Sequence, residues 1–307
     1  MRKKIISSAI LLLTAIIWGF AFVAQVIGME SVGTFTFNGI RYIIGVVVLL
    51  PLCLIVGRKL KDKRIFRDTF IFGSVAGLIM FAATTLQQYG IELDSGGNSM
   101  KAGFITGLYT VAVPICEFIV FKKKTGAMTW IGAVIATGGL YLLCVGDGFG
   151  FSVSDILLFI SVPLWTAHIM LVDKIGERIN PYIFSATQYF VCGAIALICA
   201  LIFDRGSLNA DAVGSALLPI LYGGVMSVGV AYTLQIVGQR HADPTVAAII
   251  LSCESMFCAL GNLLILSVDM SAKQYIGCAL MFLGIIVSQL YFGKKKERSS
   301  NDGKTGV

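Results

Sequence analysis

Apolar positions along this chain gather into ten long runs separated by short polar breaks. The runs lie at roughly 5–27, 34–56, 69–90, 98–121, 127–145, 155–172, 181–203, 213–238, 245–266 and 272–292. A helix that crosses the hydrocarbon core of a bilayer needs about 20 mostly apolar residues. Each run meets or approaches that length, so each is predicted to be a membrane-spanning helix. The first follows Met1-Arg2-Lys3-Lys4 and is too long for a signal-peptide core, with no small-residue cleavage site, so it reads as a retained span. The polar stretch from Gly293, GKKKERSSNDGKTGV, reads as a disordered tail over 293–307.

Composition agrees with the pattern. Of the 307 residues, 57% are hydrophobic and 13% charged, against roughly 25% charged in a soluble domain. The net charge of +7 does not point to nucleic acid, because the basic residues sit between the apolar runs. With the N-terminus inside, twenty Lys and Arg fall on inner segments and two, Arg205 and Lys273, on outer loops. That asymmetry predicts a multi-pass protein of the cell (inner or cytoplasmic) membrane with both termini cytoplasmic. The eight cysteines lie within apolar runs and show no CxxC or metal spacing, so neither a metal nor a cofactor is expected. A GxxxxGK[ST] loop is absent, which argues against an ATP-driven pump.

The two halves repeat each other. Trp18 pairs with Trp165, FTFNGIRY (35–42) with YIFSATQY (182–189), and Thr85-Leu86-Gln87 with Thr233-Leu234-Gln235. Further on, Trp130-Ile131-Gly132 pairs with Tyr275-Ile276-Gly277, and Gly139 with Gly284. The offset is about 145–148 residues, with one gap before the fourth run. Each half holds five runs; five is odd, so the second copy enters the membrane from the opposite side. The fold expected is therefore all-α integral membrane, ten transmembrane helices in two inverted five-helix repeats, at 5–145 and 155–292. Inverted repeats of this kind build the two gates of secondary transporters.

Trp18-Gly19-Phe20-Ala21-Phe22, Phe37…Arg41-Tyr42, Lys101 to Tyr109 (KAGFITGLY) with Pro114, Trp130…Gly132…Gly139 and Leu251-Ser252-Cys253-Glu254-Ser255…Gly277…Gly284 together resemble the EamA-type branch of the drug/metabolite transporter superfamily. The resemblance spans residues 5–292. It implies a secondary carrier, most often an exporter of amino acids or other small metabolites, with spans 1, 3 and 4 and their mates 6, 8 and 9 lining a central cavity. A small-molecule substrate and membrane lipid are the expected partners, protons a candidate coupling ion, and a monomer or homodimer the candidate assembly.

Charges in hydrocarbon cost about 2.5–3.5 kcal/mol on insertion scales, so each is a functional candidate. Glu254 sits near the middle of its run, as a substrate or proton site, or as a packing carboxylate. Arg41 could bind an anionic group or pair with Glu254. Lys101 lies near the outer end of its run, where it could meet a carboxylate or snorkel to water. Gln87 and Gln235 are repeat mates whose amides need partners in lipid, from a solute or from neighbouring helices. Trp18 and Trp165 offer flat apolar faces, and Tyr109, His168 and Asn262 complete the substrate-binding candidates. Pro114 and Pro163 fall within runs and are candidate hinges. Two other classes compete: a membrane-embedded enzyme acting on lipid-linked substrates, and a receptor that does not transport. HExxH is absent, and within the apolar runs the acidic residues are dispersed, with no carboxylate pair at helical spacing, which disfavours the enzyme.

Overall fold

In a computed structural model, residues 2–58, 60, 62–93, 99–123, 125–144, 152–176 and 178–301 are described. Ten apolar segments cross the bundle. The first half comprises α1 (Arg2–Met29), α2 (Thr34–Gly57), α3 (Lys63–Glu92), the pair α4 (Ser99–Gly107) and α5 (Tyr109–Phe121), and α6 (Ala127–Cys144). The second comprises α7 (Val153–Ile175), α8 (Pro181–Phe203), a short α9 (Ala210–Ser215), a span built from α10 (Leu217–Leu221), a π-helix (Tyr222–Tyr232) and α11 (Thr233–Gln239), the pair α12 (Pro244–Leu251) and α13 (Glu254–Ile265), and α14 (Ala272–Asn301). Among the described residues, eight spans are long and apolar enough to cross a membrane, and the apolar parts of the other two, Ala127–Leu143 and Ala272–Ser288, are shorter. Of the tail read as disordered, residues 293–301 continue α14 as a helix rich in Lys, Glu and Arg, which are good helix formers, and 302–307 lie outside the described residues.

Side-chain caps start the helices where the sequence supplies them. Asp62 accepts from the amides of Arg64 and Ile65, Asn180 from Tyr182 and Ile183, and Asp243 from Thr245. Proline follows directly in the last two, at Pro181 and Pro244, where a missing N–H costs nothing. Ser152 and Asp155 form a reciprocal capping box on α7.

Spans 4 and 9 are repeat mates, and both are broken at their midpoint. The breaks fall at Leu108 and at Ser252–Cys253, where the amides of Leu108 and Cys253 bond three residues back, each at 3.2 Å. Pro114 and Pro163 do not mark these breaks; both lie inside continuous helices. Tyr109 and Glu254, each the first residue after its break, are therefore equivalent positions of the two repeats.

Image contacts record the two-fold relation. Thr110 Oγ1 donates to Ala248 O (3.4 Å), and its counterpart Ser255 Oγ donates to Gly103 O (2.6 Å). A Cβ at Gly90 would meet Leu158, and one at Gly238 would meet Leu11, again as mates. Even the ends agree: Lys122 closes α5 at φ 53° and Ser267 follows α13 at φ 54°. Spans 5 and 10 cross on four glycines. A Cβ at Gly139 would lie 2.6 Å from Gly277 O and one at Gly132 2.6 Å from Gly284 O, with both contacts returned from the other side. Lipid gives little apolar drive for helix pairing, so close backbone approach at small residues supplies it through van der Waals packing.

Candidate functional site

The interrupted spans frame a cavity between the halves. Its walls come from spans 1, 2, 3, 4, 6, 8 and 9. Seven residues singled out from the sequence line it: Trp18, Arg41, Gln87, Tyr109, Trp165, Gln235 and Glu254. Two others do not. Asn262 folds back on its own helix, donating to Cys258 O at 2.8 Å. His168 is fully buried behind Trp165, ring centroids 6.1 Å apart, with Nε2 at 3.0 Å from Gln188 Oε1. Gln188 is the counterpart of Arg41, so one repeat spends that position on an internal pair while the other turns a charge into the cavity. The side chain of Lys101 lies outside the described residues.

The charges are the most telling part of the cavity. Arg41 is 3% exposed and has no hydrogen bond or ion pair among the described residues; its Nε is left without a partner. Two rings lie beside the guanidinium, Phe37 at 5.3 Å and Tyr42 at 5.2 Å. Glu254 is 4% exposed and accepts one hydrogen bond, from the Tyr109 hydroxyl at 3.1 Å. The broken helix in span 9 also matters here. Glu254 opens α13, where the positive end of the helix dipole favours a carboxylate. Arg41 and Glu254 line one cavity yet stand beyond ion-pair distance of each other. Buried charges are ordinarily paired, because leaving one unpaired is costly.

Aromatic rings form the other wall. Trp18 and Trp165 flank Tyr232, at centroid distances of 4.6 and 6.0 Å, and the Trp165 ring is nearly parallel to it at 16°. The Trp18 indole N–H points to Ser227 O at 3.4 Å. Tyr232, Ser227, Gln25 and Thr106 are cavity residues that sequence reading missed. For Tyr232 a signal existed, since it precedes the repeated Thr233-Leu234-Gln235 and stands three residues, about one helical turn, before Gln235. The π-helix that places it carried none.

A second cluster joins the halves where span 4 ends and span 9 begins. Lys123 Nζ lies 2.9 Å from Glu117 Oε1 and 3.0 Å from Asp243 Oδ2, and Thr245 Oγ1 donates to Glu117 Oε2 at 2.9 Å. Glu117 therefore takes its ion pair from Lys123, six residues on in the chain. Burial pulls the Lys123 ammonium down, but hydrogen bonds and attraction from Glu117 and Asp243 outweigh it and hold its pKa above the usual lysine value.

Ten apolar spans in two inverted halves, with broken helices meeting at a charged and aromatic cavity, define a membrane transporter built on a repeat. The chain belongs to the EamA-like transporter family, which matches residues 5–145 and 152–290. It is 28% identical over 289 residues to an Archaeoglobus fulgidus protein described as an uncharacterized transporter, covering 94% of this chain and 87% of that one. It is 23% identical to the Bacillus subtilis uncharacterized transporter YwfM, over 93% and 94% of the two chains. It is 24% identical to the Escherichia coli uncharacterized inner membrane transporter YedA, over 76% and 74%. A solved crystal structure shares the fold, with a TM-score of 0.75 at 18% identity over 93% of this chain and 96% of that one.

Proposed function

We propose that this protein is a secondary-active or facilitative carrier that exports amino acids or similar small amphipathic metabolites by alternating access. The observation that carries the reading is a buried guanidinium and a buried carboxyl group, Arg41 and Glu254, that line one cavity with no ion pair between them. A zwitterion would supply both missing partners: its carboxylate meets Arg41 in a charge-assisted contact, and its ammonium meets Glu254. The Trp18 and Trp165 faces receive the apolar part, and the amides of Gln87 and Gln235 remain for polar groups on the solute. The broken spans 4 and 9 are the elements that would move against the rest, with Pro114 and Pro163 as secondary bends. Glu254 is also where a proton would couple to transport, by neutralising the carboxylate when the solute leaves. The charge asymmetry along the chain supports cytoplasmic termini in the cell membrane. A single chain contains both repeats, which supports a monomer as the working unit, alone or within a homodimer.

Counterflow into proteoliposomes, with a panel of amino acids and related zwitterions and with or without a pH gradient, tests the reading. Transport of zwitterions that Arg41→Gln and Glu254→Gln each reduce at least tenfold supports it. A substrate lacking one of the two charges, moved as fast by both variants, sinks it. Unchanged pH dependence in Glu254→Gln removes the proton step alone.

A further inference from the structure

We infer that Tyr232 sets the size of solute the cavity admits; the inference rests on the carrier reading above and adds the residue that limits it. Tyr232 is where the two-fold symmetry fails. Its ring touches both members of one pair of repeat mates, Trp18 and Trp165. It also lies 6.3 and 6.2 Å from both members of a second pair, Tyr42 and Tyr189. A side chain that meets two complete pairs of mates stands close to the axis relating them, where only one of two equivalent side chains can fit. The counterpart in the first repeat is Thr84. It is small, donates to Met80 O in its own helix at 2.8 Å, and does not line the cavity.

Local structure reinforces the asymmetry. The span ends its π-helical stretch at Tyr232, whereas the equivalent residues 74–84 lie inside the regular helix α3. In a π-helix each bond reaches one residue further than in an α-helix, so the turn is wider and the following side chains are re-aimed; such segments are rare and concentrate at functional sites. Glycines hold this one against α2, since a Cβ at Gly224 would lie 2.6 Å from Ile44 and one at Gly229 3.0 Å from Val48.

Nor can the ring retreat. Tyr42 and Tyr189 behind it are fully buried, and the Tyr189 hydroxyl is fixed at 3.1 Å from Thr233 Oγ1, which itself donates to Gly229 O. Close-packed interiors of this kind yield little. A solute anchored by its charges at Arg41 and Glu254 therefore has a fixed distance in which to place its side chain, and the Tyr232 ring closes it.

The test is counterflow of alanine, leucine, phenylalanine and tryptophan through the wild type, Tyr232→Phe, Tyr232→Leu and Tyr232→Ala. Pocket size discriminates by about 10–200-fold per methylene-sized change. The expected result is a rise of about tenfold or more in the ratio of the largest to the smallest solute in Tyr232→Ala, a smaller rise in Tyr232→Leu, and a wild-type ratio in Tyr232→Phe. The leucine variant carries the test if the alanine variant is not monodisperse. Equal scaling of all four solutes in the truncated variants overturns the size role while leaving the carrier reading intact. A wild type that moves none of the four overturns both.

Discussion

Removing the Lys123 ammonium tests whether the ion-paired cluster ties the two repeats together. In Lys123→Met the alkyl stem remains and the charge goes, leaving Glu117, whose side chain is 3% exposed, with the Thr245 hydroxyl as its remaining partner. Breaking a fully buried pair costs about 3–5 kcal/mol, and an exposed pair contributes about 0.2–1 kcal/mol. The Lys123 side chain is 45% exposed and that of Asp243 21%, so solvent screens part of the attraction. The loss expected is between those limits, about 1–3 kcal/mol. A double-mutant cycle with Glu117→Gln, read by reversible unfolding in mixed micelles, isolates the pair. A coupling of about 1 kcal/mol or more is expected, and additivity within about 0.3 kcal/mol would mean that the pair does not tie the repeats together. The sign with pH is fixed as well. The Lys123 pKa is held above the usual lysine value of 10.5, so its stabilisation is fully present below that pH and disappears as pH rises through the higher folded value. The gap between wild type and Lys123→Met should stay level from neutral pH and close only above about 10.5.

Other outcomes follow from the same geometry. Gly139→Val places its Cβ 2.6 Å from Gly277 O, backbone against backbone, so spans 5 and 10 should separate and thermal stability in detergent should fall. Gly138→Val at the neighbouring position meets nothing within 4 Å and should leave stability unchanged; an equal loss in both variants would remove the crossing argument. Ser152→Ala loses the N-cap of α7, costing about 1 kcal/mol, visible as a lower unfolding midpoint. His168→Gln keeps a partner for Gln188 outside the cavity lining, so solute affinity should hold even if stability drops; a shift in affinity would place His168 in the site after all.

Much of the architecture was written in the apolar runs, because lipid enforces one rule along the entire chain. The run at 181–203 coincides with α8, and the second run ends one residue before α2 does. What periodicity could not reveal were the interruptions. Leu108 and Ser252–Cys253 are neither prolines nor clustered glycines, and their breaks sit where spans 4 and 9 bond to each other through Thr110 and Ser255. Pro114 and Pro163 carried the stronger local signal and lie in unbroken helices, since packing neighbours accommodate the lost hydrogen bond. In the cavity, Arg41 and Glu254 stood out because a charge in hydrocarbon is conspicuous. Tyr232 was hidden because an aromatic residue in an apolar run is ordinary, and its position follows from a π-turn that no residue pattern announces. Gln188 shows the converse: it matches Arg41 in the repeat, but His168 occupies its carbonyl.

Joint recognition of a zwitterion by Arg41 and Glu254 is open to direct measurement. Isothermal calorimetry of the purified protein with one amino acid, its amide lacking the carboxylate and its deaminated acid lacking the ammonium measures this directly, repeated in Arg41→Gln and Glu254→Gln. The expected outcome is that the amino acid binds more tightly than either analogue, that Arg41→Gln weakens the amino acid but not the amide, and that Glu254→Gln weakens the amino acid but not the deaminated acid. Equal affinity for all three ligands, or loss of all three in both variants alike, would contradict it.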